Sequence, residues 1–218
     1  MQLYLDSANP QEVEELASLG IIDGVTTNPS LVGKAGVTYQ EAVTRILKSV
    51  KDNVSLEVLS EDAQGMASEG KKLAALGKNV VVKLPTTEEG LKALTVLRKS
   101  GIRVNMTLVF SANQALLVAK LGATFVSPFI GRLDDAGQTG MDLIEEIKII
   151  YENYDYKTKI LVASVRNPIH VKEAALIGAD IATCPYAVLK QLVKHPLTES
   201  GLTKFSEDFK KSGQKPLV

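Results

Sequence analysis

The sequence has few of the features that mark secreted, membrane-bound or nucleic-acid-binding proteins. Its single cysteine, Cys184, excludes an intrachain disulfide and is typical of proteins from a reducing compartment. Lysine plus arginine and aspartate plus glutamate both number 25, so the net charge is zero and a basic nucleic-acid-binding protein is not expected. No apolar run reaches the length of a membrane span, and the first residues do not resemble a signal peptide. These absences predict a cytoplasmic protein without nucleic-acid or membrane partners.

The composition is that of a globular protein. The 218 residues are 45% hydrophobic and 23% charged, close to the average for soluble domains and sufficient for a large core. The sequence contains no linker, low-complexity stretch or change of composition. We therefore expect a single domain over residues 1–218.

Short apolar runs alternate regularly with longer amphipathic segments. Proline or capping patterns begin many of the amphipathic segments, as at Asn9, Thr38, Thr86, Ser111 and Asn167. Glycines that favour a left-handed helix end follow several of them, at positions 20, 77, 101, 122 and 178. The short runs predict eight strands near Leu3–Leu5, Gly24–Thr27, Val54–Leu59, Asn79–Leu84, Arg103–Val109, Ala123–Ser127, Lys159–Ser164 and Asp180–Cys184.

Eight strand–helix units favour an α/β fold closed into a (β/α)₈ barrel. An open doubly wound sheet is the alternative, but the first turn, residues 6–10, lacks the glycine-rich fingerprint of that fold. Beyond the eighth unit, Leu202, Phe205 and Phe209 form an apolar stripe. This stripe predicts an extra C-terminal helix over 201–212 that covers either its own barrel or a neighbouring subunit.

Polar residues cluster where the predicted strands end. Strands of such a barrel are buried on both faces, and the active site lies at their carboxyl ends. We therefore expect one mouth to collect side chains from seven strands. They are Asp6, Thr26, Asn28, Glu57, Lys83, Asn105, Thr107, Ser127 with Phe129, and Ser164 with Arg166.

Lys83 is the most informative of these residues. It directly follows Val80–Val82, so its amine is expected in an apolar wall, where the neutral form that attacks carbonyl groups is favoured. The alternative is a lysine that extends out of the strand end into solvent. Asp6 and Glu57 would supply the proton transfers of Schiff-base chemistry. Alternatively, Asp6 caps a helix and Glu57 forms a buried ion pair with Lys83.

Other polar residues allow two interpretations each. Asn28, Asn105 and Thr107 either orient substrate hydroxyls or form a network that holds the loops. Arg132 and Arg166 either bind phosphate or form surface ion pairs, for which Asp134 and Asp135 lie beside Arg132. Position alone does not decide between these interpretations.

The remaining candidates are interpreted as structural. His170 and His195 lack metal-ligand spacing, so no metal site is predicted. Cys184 is interpreted as a small buried hydrophobe.

Several long motifs, in order, resemble the transaldolase family. The similarity is greatest to the short microbial subfamily that includes fructose-6-phosphate aldolase, and it extends from Leu3 to about Phe209. Ser7 and Thr86 replace the threonine and methionine that family members usually have. The motifs are Leu5–Asn9, Gly24–Ser30, Val82–Pro85, Asn105–Phe110, Ser127–Arg132 and Ala163–Pro168.

The resemblance implies a mechanism without metal or cofactor, in which Lys83 forms a Schiff base with a ketose phosphate. It implies that Asp6 takes the C4 hydroxyl proton of the donor and that Glu57 acts through a water which Thr107 positions. The three-carbon unit would be held by Thr26, Asn28, Asn105 and Ser127, and phosphate by Arg132, Ser164 and Arg166.

Two positions bear on the choice of reaction. Transaldolases resemble this chain in having Glu57 and Phe129, whereas the aldolase branch has glutamine and tyrosine there. The resemblance therefore implies transfer of a dihydroxyacetone unit between sugar phosphates of the pentose phosphate pathway. The alternative is an aldolase that cleaves fructose 6-phosphate. The family resemblance also implies a homo-oligomer, either a decamer or a pentamer.

Overall fold

The structure is a computed structural model that describes residues 1–32 and 37–216. In this part of the chain eight parallel strands close into a barrel in sequence order, so the open-sheet alternative is wrong. All eight predicted strands are present. They are β1 (Gln2–Asp6), β2 (Gly24–Thr26), β3 (Asn53–Glu57), β4 (Val80–Pro85), β5 (Val104–Val109), β6 (Phe125–Pro128), β7 (Lys159–Val162) and β8 (Ile181–Cys184).

Helices connect the strands and surround the barrel. They are α1 (Pro10–Ser18), α2 (Pro29–Val32), α3 (Tyr39–Ser49), α4 (Ala63–Ala74), α5 (Glu88–Lys99), α6 (Ala112–Lys120), α7 (Ile130–Asp135), α8 (Gly140–Asn153), α9 (Pro168–Ile177), α10 (Tyr186–Leu192) and α11 (Pro196–Lys211). None of these described helices is long and apolar enough to cross a membrane.

Most predicted helix ends are confirmed, with two exceptions. Thr87, not Thr86, caps α5, because the Thr86 hydroxyl donates instead to the Thr107 carbonyl at 2.8 Å. Gly77 is not among the glycines with positive φ. A Cβ at Gly77 would lie 2.7 Å from Oδ1 of Asn79, whose amide donates to Leu47 and Val50 carbonyls. Glycine is therefore needed there for space, not for a left-handed turn.

The barrel interior is apolar toward the amino ends of the strands. A separate buried cluster there contains Tyr4, Val81, Phe125, Leu161 and Ile181, and it continues to Ala163, which follows the carboxyl end of β7. The Tyr4 hydroxyl accepts a hydrogen bond from Nδ2 of Asn53 at 2.8 Å, so its polar end is satisfied. The larger core lies between the barrel and its helices. The apolar floor leaves the carboxyl ends of the strands as the place where buried polar groups collect.

The C-terminal helix α11 leaves its apolar side chains in solvent. It begins at Pro196, earlier than the stripe alone predicted, and none of its residues is buried. The exposed side chains include Leu197, Leu202, Phe205 and Phe209. In this single chain the stripe therefore does not pack on its own barrel.

Candidate active site

A cavity of about 170 Å³ opens at the carboxyl ends of the strands. Ten of the twelve predicted site residues line it; Glu57 and Asn105 are not among the lining residues. The lining residues that were predicted are Asp6, Thr26, Asn28, Lys83, Thr107, Ser127, Phe129, Arg132, Ser164 and Arg166. Residues that are far apart in the sequence are thus brought to one mouth by the closure of the barrel.

The Lys83 side chain is turned into the barrel. The residue as a whole is only 5% exposed, and its Nζ lies 3.1 Å from Oε2 of Glu57 and donates to the Thr27 carbonyl at 3.1 Å. The alternative of a lysine that extends into solvent is therefore wrong. Glu57 and Lys83 are direct partners in the register of β3 and β4, which explains their contact. The arrangement is the buried ion pair that the sequence allowed for Glu57 and Lys83.

Asp6 ends β1 and faces the same cavity. Its Oδ1 accepts a hydrogen bond from the Thr26 hydroxyl at 2.8 Å, and it does not cap α1, because Asn9 does. Burial raises the pKa of the Asp6 carboxyl above its usual range; the nearby Lys83 charge and the Thr26 hydrogen bond oppose this effect, and Glu57 adds to it. Asp6 is thus a carboxyl group with increased proton affinity.

A chain of buried amide and hydroxyl groups crosses the barrel beside Lys83. The Asn105 amide donates to Oγ of Ser55 at 3.1 Å, and its Oδ1 accepts from the Ser127 hydroxyl at 2.7 Å. These bonds fix which way the amide points. Among the described residues the buried Thr107 Oγ1 has no hydrogen-bond partner, although it lines the cavity. Such an atom needs a partner from water or a ligand.

Arg132 and Arg166 lie at the rim of the cavity, and both are exposed. Arg132 stacks over the Phe129 ring, with Cζ 5.0 Å from the ring centroid. Asp135, which was considered as a partner for Arg132, instead forms an ion pair with Arg166. Nη2 of Arg166 lies 2.9 Å from Oδ2 of Asp135. Asp134 lies 3.3 Å from Nε2 of His170. The rim therefore presents one guanidinium stacked on an aromatic ring and one paired with a carboxylate.

Gly131 brings the two arginine-bearing segments together. Its backbone N–H donates to the Ser164 carbonyl at 3.1 Å, and Ser164 has a left-handed φ of 61°. A Cβ at position 131 would collide with that carbonyl and lie 2.6 Å from Nε of Arg166. Only glycine permits this close approach.

Comparison with known proteins decides the family. Residues 3–215 match the family described as transaldolase/fructose-6-phosphate aldolase. The chain belongs to this family.

Similar proteins include two that are named probable transaldolase. The one from Aquifex aeolicus is 56% identical over 99% of this chain and 100% of its own length. The one from Thermoplasma volcanium is 58% identical over 97% of this chain and 96% of its own. The chain is therefore a transaldolase-type enzyme.

A structural relative shows the barrel fold alone. A mutant flavocytochrome b2 with pyruvate bound superposes with a TM-score of 0.61 at 14% identity, over 85% of this chain and 56% of that protein.

Two polar residues of this transaldolase-family site were not predicted. Ser55 lies two residues before Glu57 on the same face of β3 and accepts from Asn105. Thr183 on β8 lines the cavity and lies 2.6 Å from the Thr26 hydroxyl. Both could have been predicted from the alternation of side chains along a strand. Ser55 is two residues from Glu57 and Thr183 is two residues from Ile181, so each points to the same inner face of the barrel.

The sequence analysis interpreted Cys184 as structural and predicted no metal site. Burial raises the pKa of the Cys184 thiol to about 12, so the thiol remains neutral, in keeping with its interpretation as a small buried group. In residues 1–32 and 37–216 we find no cluster of three or more histidine, cysteine, aspartate or glutamate side chains that could hold a metal ion.

Proposed function

We propose that this enzyme moves a dihydroxyacetone unit from a ketose phosphate to an aldose phosphate through a Schiff base on Lys83. The donors are sedoheptulose 7-phosphate or fructose 6-phosphate, and the acceptors are glyceraldehyde 3-phosphate or erythrose 4-phosphate, in the cytoplasmic pentose phosphate pathway. The observation that carries the proposal is the buried Lys83 amine, 3.1 Å from Glu57 and open to a cavity that Asp6 also lines. An amine in that position can pass its proton to a carboxylate and attack a carbonyl.

The first step forms the carbon–nitrogen bond. Lys83 Nζ, once neutral, attacks the C2 carbonyl of the donor; the carbonyl oxygen is protonated and leaves as water, which produces the iminium ion. Glu57 transfers the protons through a water held by Thr107, whose buried hydroxyl has no other partner among the described residues. No metal or cofactor takes part in this proposal.

The second step breaks the carbon–carbon bond. Asp6 takes the proton of the C4 hydroxyl, the C3–C4 electron pair moves to C3 and the iminium becomes an enamine, while the aldose leaves. The enamine then attacks the aldehyde carbon of the acceptor, and Asp6 returns its proton to the new hydroxyl oxygen. Water adds to C2 of the iminium ion that results, and the carbon–nitrogen bond breaks by the reverse of the first step, which releases the new ketose phosphate and Lys83. The raised pKa of Asp6 supports this role, because the same group must both accept and return a proton near neutral pH.

The remaining polar residues bind the two ends of the substrate. Thr26, Asn28 and Ser127, which line the cavity, hold hydroxyls of the three-carbon unit. Asn105 contributes from behind them, through the hydrogen bond that its Oδ1 accepts from Ser127. The phosphate is bound at the rim by Arg132, Ser164 and Arg166. Guanidinium groups suit phosphate oxygens through paired hydrogen bonds, and Gly131 keeps the two segments in contact.

The second candidate function is cleavage of fructose 6-phosphate with release of free dihydroxyacetone. Glu57 and Phe129 favour transfer over this reaction. The half-buried Phe129 ring packs against Phe110, with centroids 5.9 Å apart, and under Arg132. It offers no hydroxyl that could protonate the enamine.

The two functions are distinguished by the need for an acceptor. We would incubate the enzyme with fructose 6-phosphate, with and without erythrose 4-phosphate, and follow glyceraldehyde 3-phosphate. The transfer proposal expects release that depends on the acceptor. Equal release without it supports the aldolase, and no release in either reaction contradicts both.

We propose in addition that the enzyme is a homo-oligomer, a decamer or pentamer, in which α11 packs on a neighbouring subunit. Support comes from its apolar side chains, among them Leu202 at 64% and Phe205 at 72% exposure. Light scattering after size exclusion tests this directly, with Leu202→Glu/Phe205→Glu as the variant. A monomeric wild type contradicts the proposal.

A further inference from the structure

Thr183 is a buried hydroxyl with no role so far in the proposed mechanism. It lies on β8, beside β1, and is 3% exposed. Its Oγ1 is 2.6 Å from Oγ1 of Thr26, which is itself 2% exposed and 2.8 Å from Oδ1 of Asp6. Thr183, Thr26 and Asp6 therefore form a continuous hydrogen-bonded chain across three neighbouring strands, β8, β2 and β1.

The direction of this chain follows from counting protons. An ionised carboxylate only accepts hydrogen bonds, so the bond to Asp6 uses the one proton of the Thr26 hydroxyl. The same hydroxyl then has no proton left for Thr183. The Thr183–Thr26 bond must consequently be donated by Thr183.

We propose that Thr183 is a positioning residue for Asp6: by donating to Thr26, it commits the only Thr26 hydroxyl proton to the Asp6 carboxylate. This inference rests on the proposed role of Asp6 as the base of the cleavage step. Thr183 polarises Thr26, and each bond in such a chain strengthens the next by roughly 10–30%. The ionised form of Asp6, which accepts the substrate proton, is thereby favoured.

Several charged or titratable groups also act on Asp6. Lys83 on β4 favours its ionised form, and Glu57 on β3 opposes it. The Cys184 thiol on β8 interacts with Asp6, and Arg132 and Arg166 line the same cavity. A Thr183→Val substitution changes none of these groups. Any change in the titration of Asp6 therefore reports on the hydroxyl chain.

The test compares Thr183→Val with the wild type and Thr183→Ser. We would titrate Asp6 by carbon NMR of aspartate-labelled protein, assigned with Asp6→Asn, and record the pH profile of kcat with fructose 6-phosphate and erythrose 4-phosphate. We expect the Asp6 titration and the acidic limb of kcat to move upward by about 0.2–0.5 pH unit in Thr183→Val. At pH values below the acidic midpoint of the profile, kcat of Thr183→Val should be about half that of the wild type. Thr183→Ser should restore both the Asp6 titration and the pH profile of kcat.

The outcomes separate this inference from the proposed function. A Thr183→Val titration that overlays the wild type, or a Thr183→Ser titration that matches Thr183→Val, overturns the inference. If the wild type has no transfer activity, the proposed function fails, while the NMR titration still decides the role of Thr183. Thr183→Ala, which also lacks the hydroxyl, replaces Thr183→Val if the latter does not fold.

Discussion

Oε2 of Glu57 lies 3.1 Å from Nζ of Lys83, and the register of β3 and β4 places the two residues directly opposite each other. Both side chains are largely removed from solvent, with exposures of 15% and 6%. An ion pair in this position neutralises two charges that would be costly to bury separately. The same contact gives the amine a route for losing its proton. The pair therefore satisfies the requirements of folding and of the proposed chemistry together.

Glu57→Gln is predicted to slow transfer by about 10²-fold, because the amide cannot accept the proton that Nζ must lose. The measurement is kcat for fructose 6-phosphate and erythrose 4-phosphate. Glu61→Gln, in the exposed loop that follows, is the matched control. Unchanged turnover in Glu57→Gln would remove Glu57 from the mechanism.

Asp6→Asn is predicted to separate adduct formation from cleavage. The Schiff base forms without Asp6, but the C4 hydroxyl then has no base, so kcat should fall by about 10²–10⁴-fold. Borohydride reduction should still trap the six-carbon donor on the enzyme. Loss of the adduct together with activity would mean that Asp6 acts earlier than proposed.

The same substitution should raise stability at neutral pH. Since burial raises the pKa of folded Asp6, its protonated form contributes stability below the ordinary aspartate pKa. This contribution disappears as the pH rises through the folded value. Asp6→Asn cannot ionise, so its Tm should exceed that of the wild type at pH 7 and approach it in acid.

Thermal unfolding across pH checks that prediction, with Glu61→Gln in the exposed loop after β3 as the control. If the Tm of Asp6→Asn exceeded that of the wild type by more as the pH falls, the result would contradict the prediction. It would show that interactions with Lys83 and Thr26 outweigh burial at Asp6.

Gly131→Ala is predicted to weaken phosphate recognition. The new Cβ would displace the Ser164 carbonyl and the Arg166 side chain, so KM for erythrose 4-phosphate should rise about tenfold. KM for unphosphorylated erythrose should not change. In the control, Gly201→Ala, the Cβ meets no atom within 4 Å. Equal effects on both acceptors would contradict a phosphate site at the rim.

Much of this architecture could be predicted from the sequence because burial and alternation are local signals. Lys83 was found because a charged residue directly follows three valines, and Asn105 and Thr107 because they are two apart on one strand. Glycine and proline marked most helix ends. These patterns depend on neighbouring residues alone, so they are readable before the fold is known.

The rest depends on contacts between distant segments. Thr183 was missed because threonine is common in strands, and its role arises only when β8 closes against β1. Asp134 and Asp135 were considered as ion-pair partners because they lie beside Arg132 in the sequence, yet Asp135 pairs with Arg166, 31 residues away. The need for glycine at position 131 likewise becomes apparent only when the segments after β6 and β7 are in contact.

In the proposed mechanism Lys83 carries the substrate, and trapping of the Schiff base is the decisive experiment. We would treat the enzyme with fructose 6-phosphate and borohydride, digest it and locate the modified lysine by mass spectrometry. Lys83→Met is the variant, and Lys92→Met on the surface of α5 is the control. We expect a reduced adduct on Lys83 in the wild type and in Lys92→Met, and none in Lys83→Met. No adduct in an enzyme that turns over, or an adduct on another lysine, would contradict the proposed mechanism.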